Sequence, residues 1–214
     1  MPIPKEKACL SGVETKKQIY DTLCQWIIQG VLVPGERVKD HEIAKCFSVS
    51  RTPVREALQR LREQNLVKVL PGHGTYVSGL SLEELRPVYR LLGELLTIVL
   101  ELCAPRLAGE GLDFLRRQNE ELLRAIRQNE TVEAQKASAR FYRDLCRLSG
   151  NPYLLSLADQ LLLLFLRGEF FFFEGKRSPR VCGEKNRAVL DALAVGDALW
   201  AREEIRDLWL ELEI

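Results

Sequence analysis

The sequence predicts a mainly α-helical protein with two domains, the first holding a helix-turn-helix and a β-hairpin and the second six or seven packed helices. Three observations support this prediction. Asp40–Leu58 has the pattern of two short helices joined by a tight turn, and β-type runs follow at Leu66–Leu70 and Thr75–Val77. From Ser81 onward, apolar residues recur at helical spacing alone. With 214 residues, 46% of them hydrophobic, the chain can build a core in each domain.

The predicted domain boundaries follow from local composition. Residues 1–12 contain two prolines and no periodic pattern, which is typical of a flexible arm. The first domain is predicted over residues 13–79 and the second over residues 80–214. Their joint is predicted at the glycine-containing stretch before Ser81, because Ser81 and Glu84 have the spacing of a capping box that opens a new helix.

Three helices are predicted in the first domain. Apolar residues at helical spacing indicate a first helix from Val13 to Gly30, where the glycine ends it. Asp40 is predicted to cap the second helix, and Ser50 is predicted to cap the third, which begins at Arg51. Pro53 is compatible with this start, because a proline in the first turn removes an N–H that the helix does not use.

The third helix is predicted to be amphipathic. Its inward face consists of apolar residues at Val54, Leu58 and Leu61. Its outward face is basic and hydrogen-bonding, with Arg51, Thr52, Arg55 and Gln59. Such a face suits base edges and phosphates in the DNA major groove, but a solvated surface helix would have the same pattern.

The hairpin makes the DNA-binding interpretation of this helix more specific. Its two strands are joined by Pro71-Gly72-His73-Gly74, as in a wing. From Pro34 to Val77 the sequence resembles the winged-helix domain of GntR-family bacterial transcription regulators, and the resemblance extends over roughly residues 13–79. The match includes the run Ser50–Leu58, which reads SRTPVREAL.

The resemblance implies that double-stranded DNA is the partner of this domain. It implies DNA contacts from the arginines of the third helix and from the wing tip, and relatives also place an arginine on the second helix, where this chain has His41. The predicted DNA-binding residues are His41, Ser50, Arg51, Thr52, Arg55, Gln59, His73 and Gly74. The charge distribution agrees, since residues 1–80 hold 12 Lys and Arg against 8 Asp and Glu, whereas residues 81–214 hold 19 against 22.

The second domain is predicted to be helical throughout, apart from its turns and one irregular basic stretch at Gly175–Gly183. The predicted helices cover Leu82–Ala108, Asp113–Asn129, Thr131–Leu148, Tyr153–Phe173, Glu184–Leu193 and Asp197–Ile214. The run Phe170–Phe173 places four aromatic residues on one helix, and these rings are expected in the core, at a dimer interface or over a ligand.

Short motifs in this half resemble the FCD ligand-binding domain of the FadR-like branch of the same family. They are Phe141–Asn151, Arg187–Leu193 and the Gly196-Asp197-Ala198 start of the last helix. Many FCD domains hold a divalent metal through one Asp and three His. This chain has two histidines in all, His41 and His73, and both precede the FCD-like part. Alignment of the motifs places Ser138, Tyr142 and Asn186 at ligand positions, so we predict no metal and no other cofactor.

The same three side chains are candidates for direct contact with a small effector. Relatives carry an anion-binding arginine on the first FCD helix, where this chain has Leu92, with Arg90 nearby on another face of the helix. An effector pocket of Arg90, Ser138, Tyr142 and Asn186 is therefore one expectation, with an apolar or acyl ligand favoured by the apolar lining. The other expectation is that these residues merely pack in a bundle that has lost its ligand.

Taken together, the sequence predicts a homodimeric transcription regulator that binds a near-palindromic operator, as repressor or activator, under the control of a small molecule. The alternative is a ligand-independent protein whose bundle only dimerises. An enzyme is not expected, since the two histidines lie in the DNA-binding half and no phosphate-binding glycine loop is present. A signal peptide and an apolar run of membrane-spanning length are both lacking, which predicts a cytoplasmic location without a membrane partner. The six cysteines form no CxxC pair and are expected to be separate thiols.

Overall fold

The computed structural model describes residues 15–107, 109–173 and 177–212. The predicted arm at residues 1–12 lies outside them. The chain divides into two compact units that meet between Leu80 and Ser81. Among the described residues, none of the helices combines the length and the apolar character that a membrane span requires.

In its described residues, 15–80, the N-terminal unit contains three helices and a three-stranded antiparallel sheet. The helices are α1 (Thr15–Ile28), α2 (Asp40–Phe47) and α3 (Arg51–Glu63), and the strands are β1 (Arg37–Val38), β2 (Val67–Leu70) and β3 (Gly74–Val77). The strand order is β1-β3-β2, with Arg37 opposite Tyr76 and Leu70 opposite Gly74. The predicted winged helix-turn-helix is confirmed, with one addition, because the two-residue strand β1 is too short to leave a pattern in the sequence.

The helix starts in this unit differ in detail from the prediction. Asp40 is the first residue of α2 rather than its cap, and the cap position is taken by Lys39, which makes no side-chain capping bond. Ser50 does occupy the cap position of α3 with extended backbone, but its side chain makes no capping hydrogen bond. The predicted capping role is therefore wrong for Asp40, whose carboxylate binds two arginines instead.

The C-terminal unit is a helical bundle. In the described residues it contains six α-helices and one short 3-10 turn at Ala104–Arg106. The helices are α4 (Leu82–Cys103), α5 (Glu110–Arg127), α6 (Thr131–Leu148), α7 (Pro152–Phe173), α8 (Arg177–Ala194) and α9 (Ala198–Leu212). The predicted all-α bundle is confirmed, and the capping box of Ser81 and Glu84 is present at the start of α4.

The prediction of irregular structure at Gly175–Gly183 is wrong from Arg177 onward, because α8 begins there. Pro179 falls in the first turn, where it is tolerated. The start of α8 is also stabilised from another helix, since the buried Glu169 accepts the backbone N–H of Ser178 at 3.1 Å and the Tyr89 hydroxyl at 2.7 Å. A bond between such distant residues is not visible in local sequence.

Trp209 of α9 lies at the centre of the bundle and is fully buried. Its ring is 5.0 Å from Phe165, 5.3 Å from Tyr142 and 6.2 Å from Tyr89, measured between centroids. Gly93 of α4 permits this close packing, because a Cβ at that position would lie 2.8 Å from the Trp209 Cβ. Of the aromatic run, Phe172 is exposed and the other three rings are half-buried, so the run does not form the core.

The cysteines give a testable expectation about reactivity. Cys24, Cys103, Cys146 and Cys182 are buried, whereas Cys46 is half-buried. Burial raises the pKa of Cys24 and Cys103 to about 11 and that of Cys146 and Cys182 to about 12, so all four stay protonated at neutral pH.

We therefore expect iodoacetamide at pH 7.5 to leave these four thiols unmodified in the native protein and to alkylate them after unfolding in urea. Peptide mass mapping of both samples is the measurement. Cys46 serves as the comparison within the same chain, and rapid alkylation of any of the four in the native state would contradict the expectation.

Candidate functional site

The N-terminal unit has a basic cleft of about 520 Å³. It is enclosed by α2, α3 and the sheet. Its lining residues are Arg37, Val38, Lys39, Asp40, His41, Arg51, Arg55, Leu58, Gln59, Arg62, Val69, Gly74 and Thr75. The lining thus contains five lysine and arginine side chains and one carboxylate, and this excess of positive charge attracts a polyanion.

The cleft brings together five of the eight predicted DNA-binding residues, namely His41, Arg51, Arg55, Gln59 and Gly74. The other three lie outside its lining but are accessible. Ser50 and Thr52 are exposed at the start of α3, and His73 is exposed at the tip of the wing. The surface that the sequence indicated is therefore continuous from α3 to the wing.

Asp40 connects the two arginines at the centre of this surface. The Arg51 guanidinium donates to it from Nε at 3.2 Å and from Nη2 at 2.8 and 2.9 Å. Arg55 donates from Nε at 2.9 Å. Partial burial alone would raise the pKa of Asp40, but the hydrogen bonds and charges of Arg55 and Arg51 outweigh it and hold that pKa below its usual value. The carboxylate is therefore ionised at neutral pH.

Sequence reasoning did not identify four of the charged residues in the cleft, Arg37, Lys39, Asp40 and Arg62. For Arg62 a signal existed, since it lies seven residues after Arg55 and so on the same face of α3. Arg37 comes from the unpredicted strand β1. Its guanidinium lies against Gly74, where a Cβ would be 3.3 Å from the Arg37 Nε and would displace this side chain slightly.

In the C-terminal unit, two of the predicted effector residues meet in the bundle interior. The Tyr142 hydroxyl donates to the Asn186 Oδ1 at 2.9 Å, and the Asn186 Nδ2 donates to the Asn119 Oδ1 at 3.2 Å. The Asn119 Nδ2 then donates to the Gly183 carbonyl at 3.0 Å. This buried chain of hydrogen bonds joins α5, α6 and α8, and Asn119 was not predicted as part of it.

Ser138 lies one turn before Tyr142 on α6 and is also buried. Its Oγ and the Nε2 of Gln135 are buried without a hydrogen-bond partner in the described structure. The neighbour of Ser138 is the Cys182 thiol, which the Tyr142 hydroxyl also faces. Buried polar atoms without a hydrogen-bond partner are uncommon in folded proteins.

The structure does not bring Arg90 to this group. Arg90 is exposed on α4 and lines a shallow surface depression with Gly93, Glu94 and Arg206. Its assignment to an effector pocket with Ser138, Tyr142 and Asn186 is wrong for this reason. Leu92, the residue at the aligned position, is fully buried, whereas Arg90 lies on another face of the helix, as its position in the sequence indicates.

The interior side chains do not fit the metal site that the FCD resemblance implies. A hydroxyl and an amide are weak ligands for a transition metal, and burial raises the pKa of Tyr142 well above its usual value, so it is not a phenolate donor. Within the described ranges, no three His, Cys, Asp or Glu side chains converge in a way that could hold a metal ion.

Comparisons with known proteins agree with the two-unit organisation. Residues 15–77 match the family model for bacterial regulatory proteins of the gntR family, and residues 88–210 match the FCD domain model. A transcriptional regulator of the HTH type from an unstable DNA locus of Streptomyces ambofaciens is 30% identical over 201 residues, which cover 92% of this chain and 82% of that protein. The HTH-type regulator YdhC of Bacillus subtilis is 30% identical over 145 residues, 67% of this chain and 65% of the relative.

Two solved structures have the same fold. Escherichia coli McbR/YncC superposes with a TM-score of 0.78 at 23% identity and covers 94% of this chain and 96% of its own. A transcriptional regulator from Rhodococcus sp. RHA1 superposes with a TM-score of 0.77 at 21% identity, with the same coverage. The chain therefore belongs to the GntR family of DNA-binding transcriptional regulators, with a GntR helix-turn-helix domain followed by an FCD domain.

Proposed function

We propose that this regulator binds a near-palindromic DNA operator as a homodimer and that a small molecule inside the helical bundle modulates the binding. In this proposal residues 13–79 form the DNA-binding domain and residues 80–214 the effector and dimerisation domain. The observation that carries it is the basic cleft, in which α3 and the wing place Arg51, Arg55 and Gly74 on one accessible surface.

Helix α3 is proposed to enter the major groove, whose width accommodates a helix, with its N-terminal residues at the base edges. Arg51, Thr52, Arg55 and Gln59 lie on the face that would meet DNA. His41 at the start of α2 and His73 at the wing tip are proposed to contact the flanking backbone. Ser50 adds a hydroxyl next to the start of α3.

The homodimer is supported by an exposed apolar stripe on α4. Leu91, Ile98 and Leu102 are 55%, 49% and 43% exposed and lie on one face, being seven and four residues apart. The charges beside the stripe are already paired, since Arg202 of α9 binds Glu101 at 3.1 Å and Arg206 lies 3.7 Å from Glu94. An apolar face whose charges cancel can meet a second copy of itself across a two-fold axis.

The effector is supported by the buried Nε2 of Gln135, which lacks a partner in the described structure, and by the buried Oγ of Ser138, whose polar neighbour is the weakly bonding Cys182 thiol. We propose that a small ligand with a mainly apolar or acyl body hydrogen-bonds there, beside Tyr142 and Asn186. A second candidate is a ligand-independent dimerisation domain. The closed hydrogen-bond chain of Tyr142, Asn186 and Asn119 favours it, because these groups are satisfied without a ligand.

Native mass spectrometry of protein purified without added ligand tests both parts of the proposal. A dimer that carries an additional organic mass per subunit is the expected result. A bare dimer would favour the ligand-independent candidate, and a bound transition metal would contradict the absence of a metal site. A monomer at micromolar concentration would overturn the dimer. The duplex that the protein enriches from a randomised pool is the selected operator. Its addition to the protein should give complexes with two chains per duplex.

The dimer surface makes a mutational prediction. Ile98→Glu places an unpaired carboxylate in the proposed interface, which should weaken dimerisation by about 2–4 kcal/mol, roughly thirtyfold or more. Sedimentation equilibrium at several protein concentrations is the measurement, with circular dichroism to verify folding. Val195→Glu, at an exposed apolar residue in the turn before α9, is the control and should remain dimeric. An unchanged dimer for Ile98→Glu would exclude this face.

A further inference from the structure

The negative charge of Asp40 is unexpected in a surface that is proposed to bind a polyanion. It lies between Arg51 and Arg55, the two arginines proposed to contact DNA, and its side chain is 19% exposed. A carboxylate at this place repels phosphates and neutralises part of the arginine charge, so it weakens the purely electrostatic share of DNA binding. Asp40 therefore needs a role in DNA binding other than raising the affinity.

The hydrogen-bond geometry indicates what that contribution is. Arg51 uses its Nε and Nη2 atoms for the carboxylate, and Arg55 uses its Nε. A guanidinium held at this edge still has its Nη1–Nη2 edge to offer, and two parallel N–H groups on one edge are what the O6 and N7 atoms of guanine accept. A free arginine on a helix surface would instead sample many rotamers before it found that geometry.

The surrounding cations support a division of roles within the cleft. Arg37, Lys39 and Arg62 line the same cleft from β1, the residue before α2 and the end of α3. None of them donates a hydrogen bond to Asp40 in the described structure, whereas Arg51 and Arg55 do, and the His41 Nδ1 lies 4.0 Å from the carboxylate. Lys39 binds Glu42 at 2.7 Å, whereas Arg37 and Arg62 are available for phosphates, which fix the register of a protein on DNA without reading its sequence.

We propose that Asp40 is a specificity-determining positioning residue, which holds Arg51 and Arg55 so that their remaining N–H edges meet guanine and keeps both guanidinium groups away from phosphates. The inference rests on the proposed function, since it requires that the cleft binds DNA. Asp40 itself touches no base. It acts by restricting where the two arginines can bind.

The test is the variant Asp40→Asn, which keeps the shape of the side chain and removes its charge. No helix cap is lost, because Lys39 occupies the cap position of α2. Affinities are measured by fluorescence anisotropy for the selected operator and for a duplex in which its guanine pairs are replaced. We expect affinity for the operator to fall about tenfold and affinity for the replaced duplex to rise. The log–log salt dependence should steepen by about one, since an arginine is released to a phosphate.

Two further variants separate positioning from general charge effects. Glu56→Gln removes an equal charge from α3, where Glu56 pairs with Lys16 rather than with the cleft arginines, and it should raise both affinities slightly without changing their ratio. Asp40→Glu retains the charge, so affinity for the replaced duplex should stay as low as in the wild type. Circular dichroism establishes that each variant is folded.

The outcomes distinguish this inference from the proposed function. If the wild type enriches no sequence from the pool, the proposed function fails and the inference fails with it. If an operator is enriched but Asp40→Asn lowers or raises both affinities by the same factor, the positioning role is overturned and the proposed function stands. A selected operator that contains no guanine would likewise overturn the positioning role and leave the proposed function standing.

Discussion

Replacement of both Arg51 and Arg55 by alanine is expected to abolish discrimination between the selected operator and other DNA. A well-formed bidentate arginine–guanine pair contributes about 1–3 kcal/mol, so the loss of two such pairs corresponds to roughly 30-fold to more than 1,000-fold weaker operator binding. The structure adds a second reason, because Asp40 then has neither arginine partner and its charge faces the phosphates. Anisotropy titration at fixed salt is the measurement.

The control for this prediction removes two arginines elsewhere. Arg116 and Arg187 make exposed ion pairs with Asp191 and Glu120 in the bundle, and their double alanine variant has the same net charge as the test variant. Its operator affinity should change little. Unchanged operator affinity of the Arg51→Ala, Arg55→Ala variant would exclude these residues as DNA contacts. Addition of Asp40→Asn to that variant should restore part of the non-specific affinity, since the repelling charge is removed.

Trp209→Ala is expected to destabilise the bundle by about 3–5 kcal/mol, the range found when large aromatic side chains are removed from well-packed cores. The substitution leaves a cavity among Tyr89, Tyr142 and Phe165, whose rings all contact the indole. The closeness of α4 and α9 at Gly93 limits how far the helices can move to fill it. Urea unfolding followed by the helical circular dichroism signal is the measurement.

Trp200 in the same helix provides the matched control. Its side chain is exposed, so Trp200→Ala should change the free energy of unfolding by about 0.5 kcal/mol or less. The two variants lose the same atoms and differ in where those atoms lie. Equal urea midpoints for them would contradict the central position of Trp209. Because the chain has two compact units, urea can unfold it in two separate transitions. In that case the midpoints of the two variants are compared for the transition that Trp209→Ala shifts.

Much of the fold could be predicted because it depends on periodic patterns. The face of α3 and the hairpin both follow from residue spacing, and Arg62 extends that same face although it was overlooked. Helix starts were less predictable, since a serine or aspartate at the right place does not decide which partner its side chain takes. Asp40 binds arginines that follow it by 11 and 15 residues, and only the folded chain brings these groups together.

The bundle interior shows a similar limit. Alignment to FCD motifs indicated Tyr142 and Asn186, and these two do form a hydrogen bond. Asn119 and Cys182 complete the same cluster but belong to no motif, because their roles depend on how α5 and α8 pack. Arg90 was predicted only because it lies two residues from the aligned position Leu92, and its exposed side chain does not reach this cluster.

The Glu169 carboxylate makes a mechanical link within the bundle. One of its oxygens holds the Tyr89 hydroxyl of α4 and the other holds the Ser178 N–H in the first turn of α8. A single buried side chain of α7 is therefore hydrogen-bonded to both α4 and α8. Since α4 is the first helix after Leu80, this carboxylate joins the first helix of the bundle to the first turn of α8.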